Sequence, residues 1–134
     1  MRRSIKNKAF IPLQYSFNEK DPKNYYVYAE YLTFIDLPKK AHIIYQKGLT
    51  KFKDNFDIYL SAFAFYQNRN EINMLTALVD KFQGTNATQN NILKAKLLHF
   101  QGNRKNAIAL LGQQFNKNKN GYIAETLLNF DKTD

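Results

Sequence analysis

Residues 25–52 read YYVYAEYLTFIDLPKKAHIIYQKGLTKF, and the fold is read outward from this stretch. Asp36-Leu37-Pro38 splits it into two runs of helical periodicity. Before the break, Tyr25, Tyr28, Ala29, Leu32 and Ile35 return to one helix face. After it, Ala41, Ile44, Tyr45, Gly48, Leu49 and Phe52 form a second stripe. The small residues Ala29 and Ala41 let two antiparallel axes approach closely. Asp21-Pro22 supplies the first helix start, an Asp cap followed by Pro at the first helical position. Asp36 is the expected cap of the second helix.

The pair recurs. Ala29, Leu32, Ala41 and Tyr45 align with Ala95, Leu98, Ala107 and Leu111, each 66 residues on, or two periods of 33. Between them, Ala62 and Phe65 stand one such period after Ala29 and Leu32, and Met74 and Leu78 one period after Ala41 and Tyr45. A helix pair repeated at a period in the low thirties marks a helical repeat protein. The expected helices run from Pro22 to about Ile35, through the stripe Ala41 to Phe52, over about 56–67, through the stripe Ile72 to Phe82, from near Thr88 to the Gly102-Asn103 end, through Ala107 to Phe115, and last from Tyr122 to Phe130. Asp54 or Asn55 is the expected cap of the third. Gly84 to Thr88 is the clearest break, and Gly102-Asn103 ends a helix in the manner of a left-handed C-cap. Asn86-Ala87-Thr88 also matches a glycosylation tripeptide, which arises often by chance.

Residues 1–20 read as an arm and 21–134 as the repeat domain. Leu13, Tyr15 and Phe17 alternate with Gln14 and Ser16 in a strand-like period, and Pro12 argues against a helix there. The arm is expected to dock on the first helix pair and cover its open end, or to hold another chain.

Of 134 residues, 44% are hydrophobic and 15% aromatic, enough for a core and far from the composition of a disordered chain. The absence of cysteine excludes a disulfide, a thiolate metal site and a thiol nucleophile. Charge is distributed unevenly. Residues 1–18 carry +4, residues 19–80 balance, residues 81–124 carry +7 with no acid, and the tail carries −2. Such asymmetry points to an anionic partner at the C-terminal half or, more plainly, to a solvated basic surface. No apolar run reaches the ~18 residues that a membrane span needs. The basic start Met1-Arg2-Arg3 lacks the apolar run of a signal peptide, which favours the cytoplasm; a mature domain of a secreted or periplasmic precursor stays open.

The first repeat resembles the tetratricopeptide repeat. Tyr25, Tyr28, Ala29 and Leu32, then Ala41, Tyr45 and Gly48, hold that family's places. Ala95, Leu98, Ala107 and Leu111 hold them in the third, where Asn91 replaces the large aromatic. The closing proline is absent from every repeat, and Lys53 stands there in the first. The resemblance covers about residues 22–115; Sel1-like, HAT-type and pentatricopeptide arrays share its architecture. It implies an all-α fold, about three antiparallel helix-pair hairpins in a short right-handed solenoid, with a C-terminal capping helix. It also implies a concave groove lined by the first helix of each pair. Carried over, the groove places are Lys23, Tyr26, Glu30, Thr33 and Phe34, then Phe56, Tyr59, Phe63, Tyr66 and Gln67, then Gln89, Ile92, Lys96, His99 and Phe100.

Tyr59, Phe63 and Tyr66 form a continuous aromatic ridge at i, i+4 and i+7. Exposed rings in such number imply a partner, unless the groove is filled from within by the arm or the last helix. Tyr26, Phe34, Phe56, Lys96 and His99 complete the expected binding groove. His42 and His99 stand 57 residues apart, each within an ordinary helical stripe, so neither a metal site nor a catalytic pair is read, and no cofactor is implied. The leading expectation is a non-enzymatic adaptor, assembly factor or chaperone that binds a peptide or helix of a protein partner. The rival is RNA binding through the arm and the basic residues Lys94, Lys96, Arg104, Lys105, Lys117 and Lys119.

Overall fold

The computed structural model describes residues 17–132, with Lys132 described by its backbone alone. These residues form seven helices and no strand. They are α1 (Pro22–Phe34), α2 (Pro38–Lys51), α3 (Phe56–Asn68), α4 (Ile72–Lys81), α5 (Ala87–Phe100), α6 (Arg104–Lys117) and α7 (Gly121–Lys132). The helices expected from periodicity are thus all present, and neighbours pack as pairs, α1 on α2 and α5 on α6. The chain divides into two compact units between Ala62 and Phe63, inside α3. Most of the arm's strand-like alternation, residues 10–16, and the basic residues Arg2, Arg3, Lys6 and Lys8 lie outside the described residues. Phe17 alone of that segment is described, and its ring meets Tyr25 and Tyr28 edge-on at 5.1 and 6.1 Å.

A local code repeats along the chain. Helices α1, α3, α5 and α7 each open on an Asp or Asn whose side chain accepts a backbone N–H of the first turn. The bonds run from Lys23 to Asp21 (3.0 Å), Ile58 to Asn55 (2.9 Å), Gln89 to Asn86 (3.0 Å) and Tyr122 to Asn120 (2.8 Å). Such a cap satisfies a donor that the helix itself cannot, and removing it costs about 1 kcal/mol. Three of these helices also close identically. The N–H of Leu37 donates to the Leu32 carbonyl at 2.8 Å, that of Glu71 to Tyr66 at 3.0 Å, and that of Asn103 to Leu98 at 2.8 Å. The residue before each donor is left-handed: Asp36 at φ 64°, Asn70 at 56° and Gly102 at 86°. This is the Schellman closure, which needs a left-handed residue to return the chain.

Two corrections follow. Asp36 does not cap α2; it occupies the left-handed place of the turn, and Leu37 stands at the N-cap without a side-chain bond. The spacing is also not an even 33, because the three turns stand 34 and 32 residues apart. The middle hairpin is therefore displaced by one residue. Phe63 and Tyr66, not Ala62 and Phe65, are the counterparts of Ala29 and Leu32. Leu75, not Met74, is the counterpart of Ala41.

The packing agrees with this register. Ala29, Ala41, Phe63, Leu75, Ala95 and Ala107 are all fully buried. A Cβ on Gly48 would collide with Cδ1 of Ile58 and stand 3.0 Å from Cβ of Tyr25, so α2 passes close to both α1 and α3 there. Each large apolar side chain removed from water contributes roughly 1.5–3 kcal/mol. Helix α7 opens on Asn120 as α1 opens on Asp21, packs on α6 and α5, and buries Ile123, Thr126 and Phe130.

Candidate functional site

The expected groove residues separate into two groups. Tyr59, Phe63 and Tyr66 are 1%, 0% and 0% exposed, so the aromatic ridge belongs to the interior. The one-residue shift explains why. Counted from the turns, these three are the counterparts of Tyr25, Ala29 and Leu32, the core face of α1, and not of the groove row. The counterparts of Tyr26, Glu30 and Thr33 on α3 are Leu60, Ala64 and Gln67. The Tyr59 hydroxyl donates to the Leu49 carbonyl at 3.4 Å, and burial, with a smaller effect of Asp54, pushes its pKa up.

Tyr26 stays half-buried on α1. Its phenol is raised above the ordinary 10.0, first by burial and then by the carboxylates of Asp57, Glu30 and Asp21. Beside it runs a polar chain through three helices. Ser61 on α3 donates to Glu30 on α1 at 2.7 Å, so the 2.6 Å contact between Ser61 and Tyr45 on α2 has the tyrosine as donor. Phe56 is half-buried at the start of α3.

In the second unit, Lys96 is half-buried with its ammonium 5.7 Å from the centre of the Phe63 ring. Burial lowers its pKa from 10.5. His99 stacks on Phe130 at 4.2 Å and 7°, which pins α7 to α5. The expected basic residues are spread along α5, α6 and the loop after α6. Lys94, Lys105, Lys117 and Lys119 are exposed. Lys105 and Lys117 lie at opposite ends of α6, about 18 Å apart along its axis. Arg104 donates to Asp131 at 2.8 Å, and Lys119 lies 4.9 Å over the Phe115 ring.

Large exposed apolar residues stand elsewhere: Ile43 on α2, Ile72 on α4, Leu128 on α7 and three on α1. Val27, Tyr31 and Phe34 are 40%, 37% and 86% exposed, and they recur on α1 at i, i+4 and i+7. They form one row on the side of the helix away from Tyr25, Ala29 and Leu32. Phe34 was expected in the groove; Val27 and Tyr31 were not. Their spacing was readable, but α1 is rich in aromatics on several faces, and periodicity alone does not rank them. Among the described residues, no group of three or more His, Asp or Glu stands close enough to hold a metal ion, and no helix is long and apolar enough to cross a membrane. Comparison with known protein families, with curated proteins and with solved structures finds no match.

Proposed function

We propose that this chain is a non-enzymatic helical-hairpin module that recognises another protein. The observation that carries the reading is the row Val27–Tyr31–Phe34. The opposite face of this helix supplies the core, so these large apolar residues stand on its outer side, Phe34 almost wholly in water. Contiguous exposed apolar surface of this kind is characteristic of protein contact sites, and exposed aromatics are frequent anchors of such contacts. The tetratricopeptide resemblance supports the same class of function. The buried ridge Tyr59–Phe63–Tyr66 now acts as scaffold, and the row on α1 as contact.

RNA binding is the weaker reading. Phosphate recognition draws on clustered cations, whereas the bases of α5 and α6 are dispersed, and Arg104 is engaged with Asp131.

The test places a photoreactive benzoylphenylalanine at position 34 of the full chain, with position 47 on α2 as an exposed control. Irradiation in extract of the native cell should give a discrete protein adduct from position 34 and none from 47. The adduct should survive nuclease treatment and raised salt, because apolar contact is insensitive to screening. Adducts to RNA alone, lost as salt rises, would replace the proposal with the rival.

A further inference from the structure

Among the described side chains, Lys96 on α5 is the one lysine that is not exposed. Lysine is seldom taken out of water without an acid beside it, because the ammonium leaves its hydration behind. Here no acid answers it. Among the described residues Lys96 joins no ion pair, whereas Lys51, which also lies over aromatic rings, is exposed and paired with Glu19. Residues 81–124 contain no Asp or Glu. The contact that the Lys96 ammonium does make is with the Phe63 ring, 5.7 Å from its centre. That is close to the ~6 Å limit of such attractions, so the ring returns only part of the cost of burial.

A charged nitrogen is costly in this place and a neutral one is not. Burial accordingly lowers the Lys96 pKa from 10.5, which leaves more free amine near neutrality than an exposed lysine holds. The free amine is the nucleophilic form, and its Nζ is not sealed from solvent. The surroundings favour anionic reagents. Lys94 stands on the same helix, Arg104, Lys105 and Lys117 stand on α6, which packs against it, and neither helix contains an acid.

We infer that Lys96 is an acylation site, modified by small anionic acyl donors of the acyl phosphate or acyl thioester class. The amine nitrogen attacks the acyl carbonyl, and a C–N bond forms. The C–O bond of the acyl phosphate, or the C–S bond of the thioester, breaks, and phosphate or thiolate leaves with the electron pair. The proton lost from nitrogen passes to solvent. The product is a neutral amide, so the unpaired charge is gone from beside the Phe63 ring. Acetylation at this position therefore stabilises the fold, whereas at an exposed lysine it leaves stability nearly unchanged. The site is separate from the row on α1 and does not depend on the recognition reading.

The test treats the native full chain near neutral pH with acetyl phosphate and, separately, with acetyl-coenzyme A. Peptide mass spectrometry follows each lysine with time. In the folded chain Lys96 should acetylate faster than Lys94 and Lys105 by roughly threefold or more, and the advantage should vanish in denaturant. A preference seen with one donor alone supports the inference and names the donor; a preference with both supports the shared acyl chemistry. A second measurement installs acetyl-lysine at position 96 by codon reassignment, and the melting temperature should rise above that of the parent. Lys96 acetylating no faster than Lys94 with either donor would overturn the inference. So would a preference that persists in the denatured chain, or a melting temperature that acetyl-lysine at position 96 leaves unchanged or lowers.

Discussion

Phe63→Ala separates a structural ridge from a binding ridge. The side chain is fully buried, and the Lys96 ammonium lies 5.7 Å from its ring centre. Truncation removes the transfer energy of the ring and leaves a cavity, together about 3–5 kcal/mol for a buried Phe. Loss of the ring face under Lys96 adds about 0.5–1 kcal/mol. For a chain of this length each kcal/mol shifts the midpoint by roughly 3–5 °C, so the melting temperature should fall by ~10–30 °C. Phe34→Ala is the comparison, because that ring is 86% exposed and its loss should change stability by no more than ~0.5 kcal/mol. Thermal unfolding of both variants, followed at 222 nm, reads the difference directly. Equal midpoints, or a larger loss for Phe34→Ala, would refute the one-residue register on which the site is built.

Three further outcomes follow from the packing and the turns. Ala41→Leu forces a larger side chain into a fully buried place on α2 and should cost about 1–3 kcal/mol by denaturant titration. Gly102→Ala places a Cβ at φ 86° with open space around it, so the strain is of the backbone alone; it should cost about 1–2 kcal/mol, while Asn70→Gly should be neutral or slightly stabilising. Lys96 has its folded pKa lowered by burial, so between that value and the ordinary 10.5 the unfolded chain binds more protons and stability rises with pH. Lys96→Met should abolish that rise and stabilise the protein near neutrality, as urea titrations across pH 7 to 10.5 would show.

The helices were legible because their signals are local. Asp21-Pro22, Gly102 and the apolar stripes around Ala29 and Ala107 depend on a few neighbouring residues each, and the helices stand where those signals put them. The register was harder to read. An offset of 66 between the first and third hairpins is correct, but it divides as 34 and 32, and the middle hairpin carries no Ala at its close contacts to show this. Phe63 and Leu75 fill those places with bulk, so Ala62 offered a false match one residue early. That single step moved Tyr59, Phe63 and Tyr66 from the core face to the expected groove. Asp36 was misread for a related reason: Asp favours both caps and left-handed turns, and only the bond from Leu37 to Leu32 distinguishes them. Exposure of the α1 row depends on what stands before it in space, which no local pattern encodes.

Hydroxyl-radical footprinting of the native full chain, resolved by residue in mass spectrometry, tests the inside–outside assignment most directly. Phe34 should be oxidised fast and Tyr31 at an intermediate rate, while Tyr59, Phe63 and Tyr66 should be protected until the chain unfolds. Rapid oxidation of Tyr59, Phe63 and Tyr66 in the folded protein, with Phe34 protected, would contradict the register and return the aromatic ridge to the surface.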